Sequence, residues 1–130
     1  MRQIDVRHRG REKVIACFEV DGILIERGER VPRQTPAQAA TVLADIVKES
    51  RFTLYEYFIT DKIGHAQDMR AARVVLQELS SFVRALLDRL DLDQTSVILT
   101  SDHGNIEDLS SRTHTLNAVP TMVWGVKRKT

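Results

Sequence analysis

The sequence holds one cysteine, three prolines and few aromatic side chains, 5% of its 130 residues. A single cysteine, Cys17, excludes an internal disulfide and any cysteine-built zinc cluster, and its setting in VIACF reads as a small buried apolar side chain. No apolar run reaches about 18 residues, so no membrane-spanning segment is expected. The first residues have neither the apolar stretch of a secretory signal nor the Ser-rich amphipathic character of a transit peptide, which points to a cytoplasmic protein. Charge of neither sign dominates. Nineteen Lys plus Arg face eighteen Asp plus Glu, and the net +1 gives no field that would gather nucleic acid.

What is present fits a packed globular fold: 42% apolar and 28% charged residues, in a chain long enough to bury a core without disulfides or a structural metal. Residues 1–13 concentrate five Arg or Lys and read as a solvated basic arm. Residues 14–25, VIACFEVDGILI, give two β-prone runs broken by Asp21-Gly22, as in a hairpin. Residues 1–34 are therefore set apart as a basic arm with a hairpin-like segment, and residues 35–130 as the main body.

The body alternates helix and strand patterns. Thr35 can cap a helix, Pro36 suits its first position and Gln38 completes a capping box. This helix is expected to run to about Ser50, with Ala39, Val42, Leu43, Ile46 and Val47 as its buried stripe. FTLYEYFIT, residues 52–60, reads as a central strand buried on both faces. From Asp68 to Leu90, the apolar residues Ala72, Leu76, Leu79, Val83, Leu86 and Leu90 recur at helical steps. SVILTS (96–101) and PTMVWGV (120–126) read as two further buried strands. Such alternation predicts an α/β fold, a mostly parallel sheet with helices on both faces.

Polar residues collect just beyond the strands. Asp61 and His65 follow the first, Asp102 and His103 the second, and His114 precedes the third. In open α/β sheets ligands bind outside the carboxyl ends of strands, so these segments can meet at one site. Imidazole and carboxylate donors suit zinc, manganese or iron, and the lack of thiolates disfavours a soft copper site. Five ligands exceed what one open catalytic zinc takes from protein, whereas two divalent ions about 3.5–4 Å apart use them well. The structural alternative is that Asp102 and His103 form a strand-end turn and Asp61 caps the segment after it.

The motifs resemble a known family. TSDHGNIED (100–108), followed by HTLNAVP (114–120) and an apolar strand, resembles the end of the metal-binding domain shared by cofactor-independent phosphoglycerate mutases, phosphopentomutases and alkaline phosphatases. TDKIGH (60–65) is similar to that superfamily's Asp-x-x-x-His element. The resemblance covers about residues 35–130 and implies the C-terminal part of an alkaline phosphatase-like three-layer sandwich. It assigns Asp61, His65 and His114 to one divalent ion and Asp102 and His103 to another, manganese as in the mutases or zinc as in the phosphatases. Asn105 and Glu107 match the motif without being expected ligands. Ala118 stands where the mutases often have proline, and Thr60 and Lys62 also depart from the mutase pattern.

The same resemblance requires an upstream strand ending in a metal-binding aspartate, then a Ser or Thr nucleophile that attacks phosphorus. Asp21 is followed by only 39 residues before Asp61, too few for those parts, and reads as a turn residue. Thr35 is explained as a cap, and Thr100 and Ser101 as strand-end residues, so no catalytic residue is assigned. The sequence reads as the C-terminal portion of a phosphoryl-transfer or phosphate-ester-hydrolysing enzyme that acts on a small phosphorylated substrate once completed. The alternative is a noncatalytic metal-binding or interaction module. Uncovered sheet surface in either case invites self-association or a chain that supplies the N-terminal part.

Overall fold

The computed structural model describes residues 34–125 and, upstream of them, the short strand Val14–Ala16. The basic stretch 1–13, Cys17 and the turn expected at Asp21-Gly22 lie outside the described residues. In order, the elements are β1 (Val14–Ala16), α1 (Pro36–Glu49), β2 (Thr53–Tyr55), α2 (Ile59–Ala66), α3 (Met69–Leu87), β3 (Val97–Thr100) and β4 (Thr121–Trp124). They divide between two compact units. One holds β1, α1, β2 and the later part of α3, from Glu78; the other holds α2, the earlier part of α3, β3, β4 and the loops between them.

In the first unit, α1 starts where its cap dictates. The Gln38 backbone N–H donates to Thr35 Oγ1 at 3.3 Å, and the Thr35 N–H donates to Gln38 Oε1 at 2.8 Å. Both are donors that a helix start otherwise leaves unpaired, and Pro36 removes another. The buried face of α1 is Ala39, Ala40, Leu43 and Ala44. The stripe expected from the sequence is thus displaced toward the small residues, and Val42 is exposed. From α3, Phe82 and Leu86 are buried in the same unit, and the Phe82 ring stacks on Tyr55 of β2 at 5.0 Å. Arg89, just past α3, donates from Nε to Thr41 Oγ1 of α1 at 2.9 Å. β1 and β2 pair in parallel, Val14 opposite Thr53 and Ala16 opposite Tyr55.

The expected central strand over residues 52–60 is corrected in two ways. Only Thr53–Tyr55 is strand, with Leu54 46% exposed rather than buried, and Ile59 onward is helix. A short, uniformly bulky run has no periodicity to separate strand from helix, and here the chain switches midway through it. Along α3, the buried positions Ala72, Val75, Phe82 and Leu86 replace part of the expected row, and Leu76 faces solvent.

In the second unit, β3 and β4 pair antiparallel, Val97 opposite Trp124 and Thr100 opposite Thr121. Parallel neighbours were expected. Parallel pairing needs a crossover, usually a helix, whereas residues 101–120 return as a loop with no helix in it, which suits an antiparallel return. Neither strand is buried on both faces: Ile98 is 67% exposed, and Met122 and Val123 are also exposed. The α/β class holds, while the described residues form one parallel and one antiparallel pair, not a mostly parallel sheet with helices on both faces. Among the described residues no helix is long and apolar enough to cross a membrane.

Replacing Thr35 with Ala removes the cap acceptor and is expected to destabilise the fold by about 1 kcal/mol. The midpoint of urea denaturation, followed by far-UV circular dichroism, measures the loss; an unchanged midpoint contradicts it.

Candidate metal centre

Asp61 lies in the first turn of α2 and His65 in its last. Four residues apart, they share one face of the helix, and each sits at the terminus that favours its charge. This placement corrects the expectation that both occupy a loop after a strand. The helix supplies two donors in fixed relation. The third, His114, comes from the loop between β3 and β4, and its Nε2 lies 3.2 Å from Asp61 Oδ1. His65 Nε2 lies 3.3 Å from the same oxygen. One ligand atom from each of the three residues falls within 4.8 Å of the others.

The hydrogen-bond chemistry around His65 bears on what the site can hold. His65 Nδ1 is 2.5 Å from the carbonyl oxygen of Arg112. A carbonyl only accepts, so Nδ1 carries the proton, and in the neutral ring Nε2 then presents a lone pair to Asp61 Oδ1. Two acceptors facing each other at that distance repel unless a positive charge lies with them, either a second proton on the ring or a cation between the two. Donors about 2.0–2.1 Å from a tetrahedral zinc lie roughly 3.3–3.4 Å apart, which matches the Asp61–His65 and Asp61–His114 separations. The Arg112 carbonyl also has the place that an outer partner of a metal-bound histidine takes, fixing tautomer and ring orientation. The donor set and its geometry fit a divalent cation.

The other two sequence candidates are close by and differently arranged. The His103 ring stacks on His114, with centroids 3.5 Å apart and planes 17° from parallel. His103 Nε2 is 3.6 Å from Asp102 Oδ1, and the Asp102 side chain is 85% exposed. Asp102 and His103 therefore stand beside the triad without joining it.

Several residues without an expected role hold this arrangement together. Thr115 N–H donates to the Gly104 carbonyl at 3.0 Å, a single antiparallel bridge between the segment after Asp102-His103 and the segment after His114. Glu107 reinforces it. Its Oε1 accepts from the Thr115 hydroxyl and from Asn117 Nδ2, and its Oε2 accepts from the Asn105 N–H. These bonds pull the Glu107 carboxyl down to about 2 from an ordinary 4.5, the Thr115 hydroxyl foremost; desolvation, next in size, opposes them, and the N–H groups of Glu107 and Asn105 and the Asn117 amide add to the lowering. A carboxylate so engaged has little left to offer a metal. The approach is close enough that a Cβ on Gly104 would overlap Thr115 Oγ1.

Asn105 is 5% exposed, and its side-chain amide has no hydrogen-bond partner among the described residues. Its Oδ1 presses on Gly64 of α2, where a Cβ would overlap it, so glycine at this helical position lets the loop after β3 seat against the helix that carries Asp61 and His65. The spacing Asn105-x-Glu107 was visible in the sequence, but the bonds it makes depend on a partner loop that spacing alone does not place.

A depressed carboxyl pKa contributes stability that is complete above the unfolded value near 4.5 and is lost as pH falls through about 2. The Glu107 side-chain carboxyl is expected to titrate with a midpoint near 2 by NMR, and Thr115→Val to move that midpoint toward 4.5. A wild-type midpoint near 4.5 contradicts the clamp.

Comparison with known proteins agrees with this chemistry. The family model described as the Metalloenzyme superfamily matches residues 10–130. A 2,3-bisphosphoglycerate-independent phosphoglycerate mutase of Mycoplasmopsis synoviae is 22% identical over 104 residues, covering 80% of this chain and 20% of that protein. A phosphopentomutase of Alkaliphilus metalliredigens is 26% identical over 89 residues, covering 67% of this chain and 23% of the mutase. A phosphoglycerate mutase of the same cofactor-independent kind from Dinoroseobacter shibae is 30% identical over 76 residues, 53% of this chain and 15% of that protein. The chain thus spans about a fifth of the length of the curated relatives it matches. No solved structure matches it with significance. Membership implies use of a divalent metal, for which Asp61, His65 and His114 offer a place. Matched over residues 10–130 by the family's model, the chain belongs to the Metalloenzyme superfamily.

Proposed function

We propose that this chain is the divalent-metal-binding C-terminal portion of a phosphoryl-transfer or phosphate-ester-hydrolysing enzyme of the phosphoglycerate-mutase type, working with an N-terminal part that carries the nucleophile. The observation that carries the reading is the convergence of His65 Nε2 and His114 Nε2 on one oxygen of Asp61. Asp61, His65 and His114 hold one ion, zinc or manganese. Asp102 and His103 contribute to a second ion whose other ligands come from outside this chain. A divalent ion, when bound, polarises phosphoryl oxygens and favours the deprotonated form of a hydroxyl at neutral pH.

The chain's own part in that chemistry is positional. His65 keeps Nε2 free of its proton by donating Nδ1–H to Arg112, and Asp61 supplies the negative charge that makes the cluster attractive to a cation. His103 packs against His114, which brings the second ligand set beside the first. The substrate is a small phosphorylated molecule.

The exposed apolar side chains of Ile98 and Val123, cross-strand partners on one face of the β3–β4 pair, support a partner surface, either a second copy or the polypeptide that supplies the N-terminal part. We place the assembly in the cytoplasm, without nucleic acid or membrane as partner.

The exposure of Asp102 favours keeping a second reading, a noncatalytic metal-binding or interaction module, because a half-site with two ligands supports no turnover by itself. Metal titration of the purified chain by calorimetry tests what the readings share. The wild type is expected to bind one zinc or manganese ion with defined stoichiometry, and Asp61→Asn, His65→Ala and His114→Ala each to weaken it by roughly 100-fold or more, beyond the loss expected for an outer-shell change. Absence of binding, or equal binding by all three variants, removes both readings. To separate them, the chain is supplied with its upstream-encoded or neighbouring polypeptide and assayed on an aryl phosphate with manganese or zinc. Metal-dependent hydrolysis is expected, and its absence leaves the noncatalytic module.

A further inference from the structure

We propose that Gln67 is a positioning residue: its side chain ties the end of α2 to the loop that bears His114 and thereby sets how His65 and His114 face each other. Only the effect on metal affinity rests on the function proposed above.

Gln67 is the residue at which α2 turns into the start of α3, its N–H donating to the Gly64 carbonyl at 3.0 Å. Its φ is +56°, the left-handed region, and it is the one non-glycine residue with positive φ among the described residues. Helix ends of this kind are ordinarily closed by glycine, which has no Cβ to crowd the carbonyl oxygen, or by asparagine, whose short amide bonds locally; any other side chain, alanine included, is disfavoured there. A disfavoured conformation persists where the surroundings over-determine it.

Here the surroundings are two hydrogen bonds from the side chain. Gln67 Nε2 donates to the Leu109 carbonyl at 3.0 Å, and Gln67 Oε1 accepts from Arg112 Nε at 2.9 Å. Arg112 is the residue whose carbonyl oxygen accepts from His65 Nδ1. Gln67 lies two residues after His65, and Arg112 two residues before His114. The Gln67–Arg112 contact therefore joins the two ligand-bearing segments close to both ligands. Glycine at position 67 would close the helix without backbone cost but would leave the loop 109–114 tied to α2, among the described contacts, through the ligand side chains themselves, His65 to the Arg112 carbonyl and Asp61 to His114. Asp68, next in sequence, is occupied with capping α3 through Oδ1, accepting from Arg70 and Ala71 N–H, and does not share the task.

The test uses the full chain and three variants. Q67G removes the ties and relieves the backbone, Q67A removes the ties without relief, and Q67E keeps an acceptor for Arg112 while losing the donor to Leu109. In the metal-free protein, Q67G is expected to keep or raise the melting temperature. Amide hydrogen exchange across residues 109–114 accelerates about tenfold, and NOE cross-peaks between the His65 and His114 rings weaken. Q67A is expected to loosen the loop equally and to melt lower, and Q67E to fall between wild type and Q67A in loop exchange. With zinc alone as the probe, Q67G and Q67A are expected to bind about tenfold more weakly than wild type, the size of an outer-shell effect.

A merely structural role for Gln67 would make stability and loop order move together, whereas the brace separates them in Q67G. Wild-type exchange and wild-type ring NOEs in metal-free Q67G and Q67A overturn the proposal. If Q67G does not fold, the comparison of Q67A with Q67E decides in the same way. Loop loosening in a chain whose wild type binds no zinc supports the brace and overturns the metal reading instead.

Discussion

The second unit is organised around one electrostatic constraint. A carboxylate oxygen of Asp61 sits 3.2 Å from one imidazole nitrogen and 3.3 Å from another, and in the neutral ring the His65 nitrogen is left as an acceptor by the hydrogen bond on the opposite side. Acceptors so close must share a positive charge. Helix α2 meets half of the requirement cheaply, because residues four apart on a helix face the same way without long-range ordering. The other half is expensive. His114 is 49 residues beyond His65, and the loop that carries it has no helix or strand of its own over residues 101–120 apart from a single bridge. Loop conformational freedom opposes such convergence, and only tethers along the loop can offset it.

Those tethers account for the density of polar contacts around residues 101–117. Glu107 gathers an N–H, a hydroxyl and an amide from three residues; Thr115 bridges to Gly104; and the loop is drawn back on α2 through Leu109 and Arg112. The division of labour among the acids follows from their partners. Glu107 is committed to uncharged donors within the protein, and its carboxylate is stabilised there without any metal. Asp61 is met by histidine nitrogens, which leaves it ready for a cation. Of the two carboxylates, one is thus a clamp and the other, under the proposed reading, a ligand, and their hydrogen-bond partners distinguish them where residue type does not.

Much of this was legible in the sequence, for reasons that can be named. The α1 start was readable because Thr35, Pro36 and Gln38 act over three residues. The Asp61-x-x-x-His65 spacing was readable because it is a chemical pattern that works on whatever local structure carries it, so the residues stand out in the sequence although a loop after a strand, not a helix, is expected there. The helix itself was hidden in the aromatic run before it, where apolar bulk on every residue masks the period. Gln67 could not be found: glutamine is an ordinary helix former, and only its backbone φ in the folded chain shows that it occupies a place suited to glycine. Asn105 was visible as part of a motif, but its burial against Gly64 depends on packing between segments 41 residues apart.

The half-site at Asp102 and His103 is connected to the exposed strands by the chain itself. β3 ends at Thr100, so the residues that would hold a second ion begin two positions after a strand whose Ile98 side chain is 67% exposed, on the same face as its exposed β4 partner Val123. Under the proposed reading, two ligands from one segment bind a divalent ion weakly, and the remaining ligands come from a surface that approaches this strand end. Burial of the apolar face would provide the free energy for that approach, since apolar area leaving water is worth roughly 25 cal/mol per Å². Under the proposed reading, a single docking event would both cover the strands and complete the second ligand set. The same reading gives the first site no such need, because the three residues it assigns as ligands, and the tethers that position them, belong to this chain.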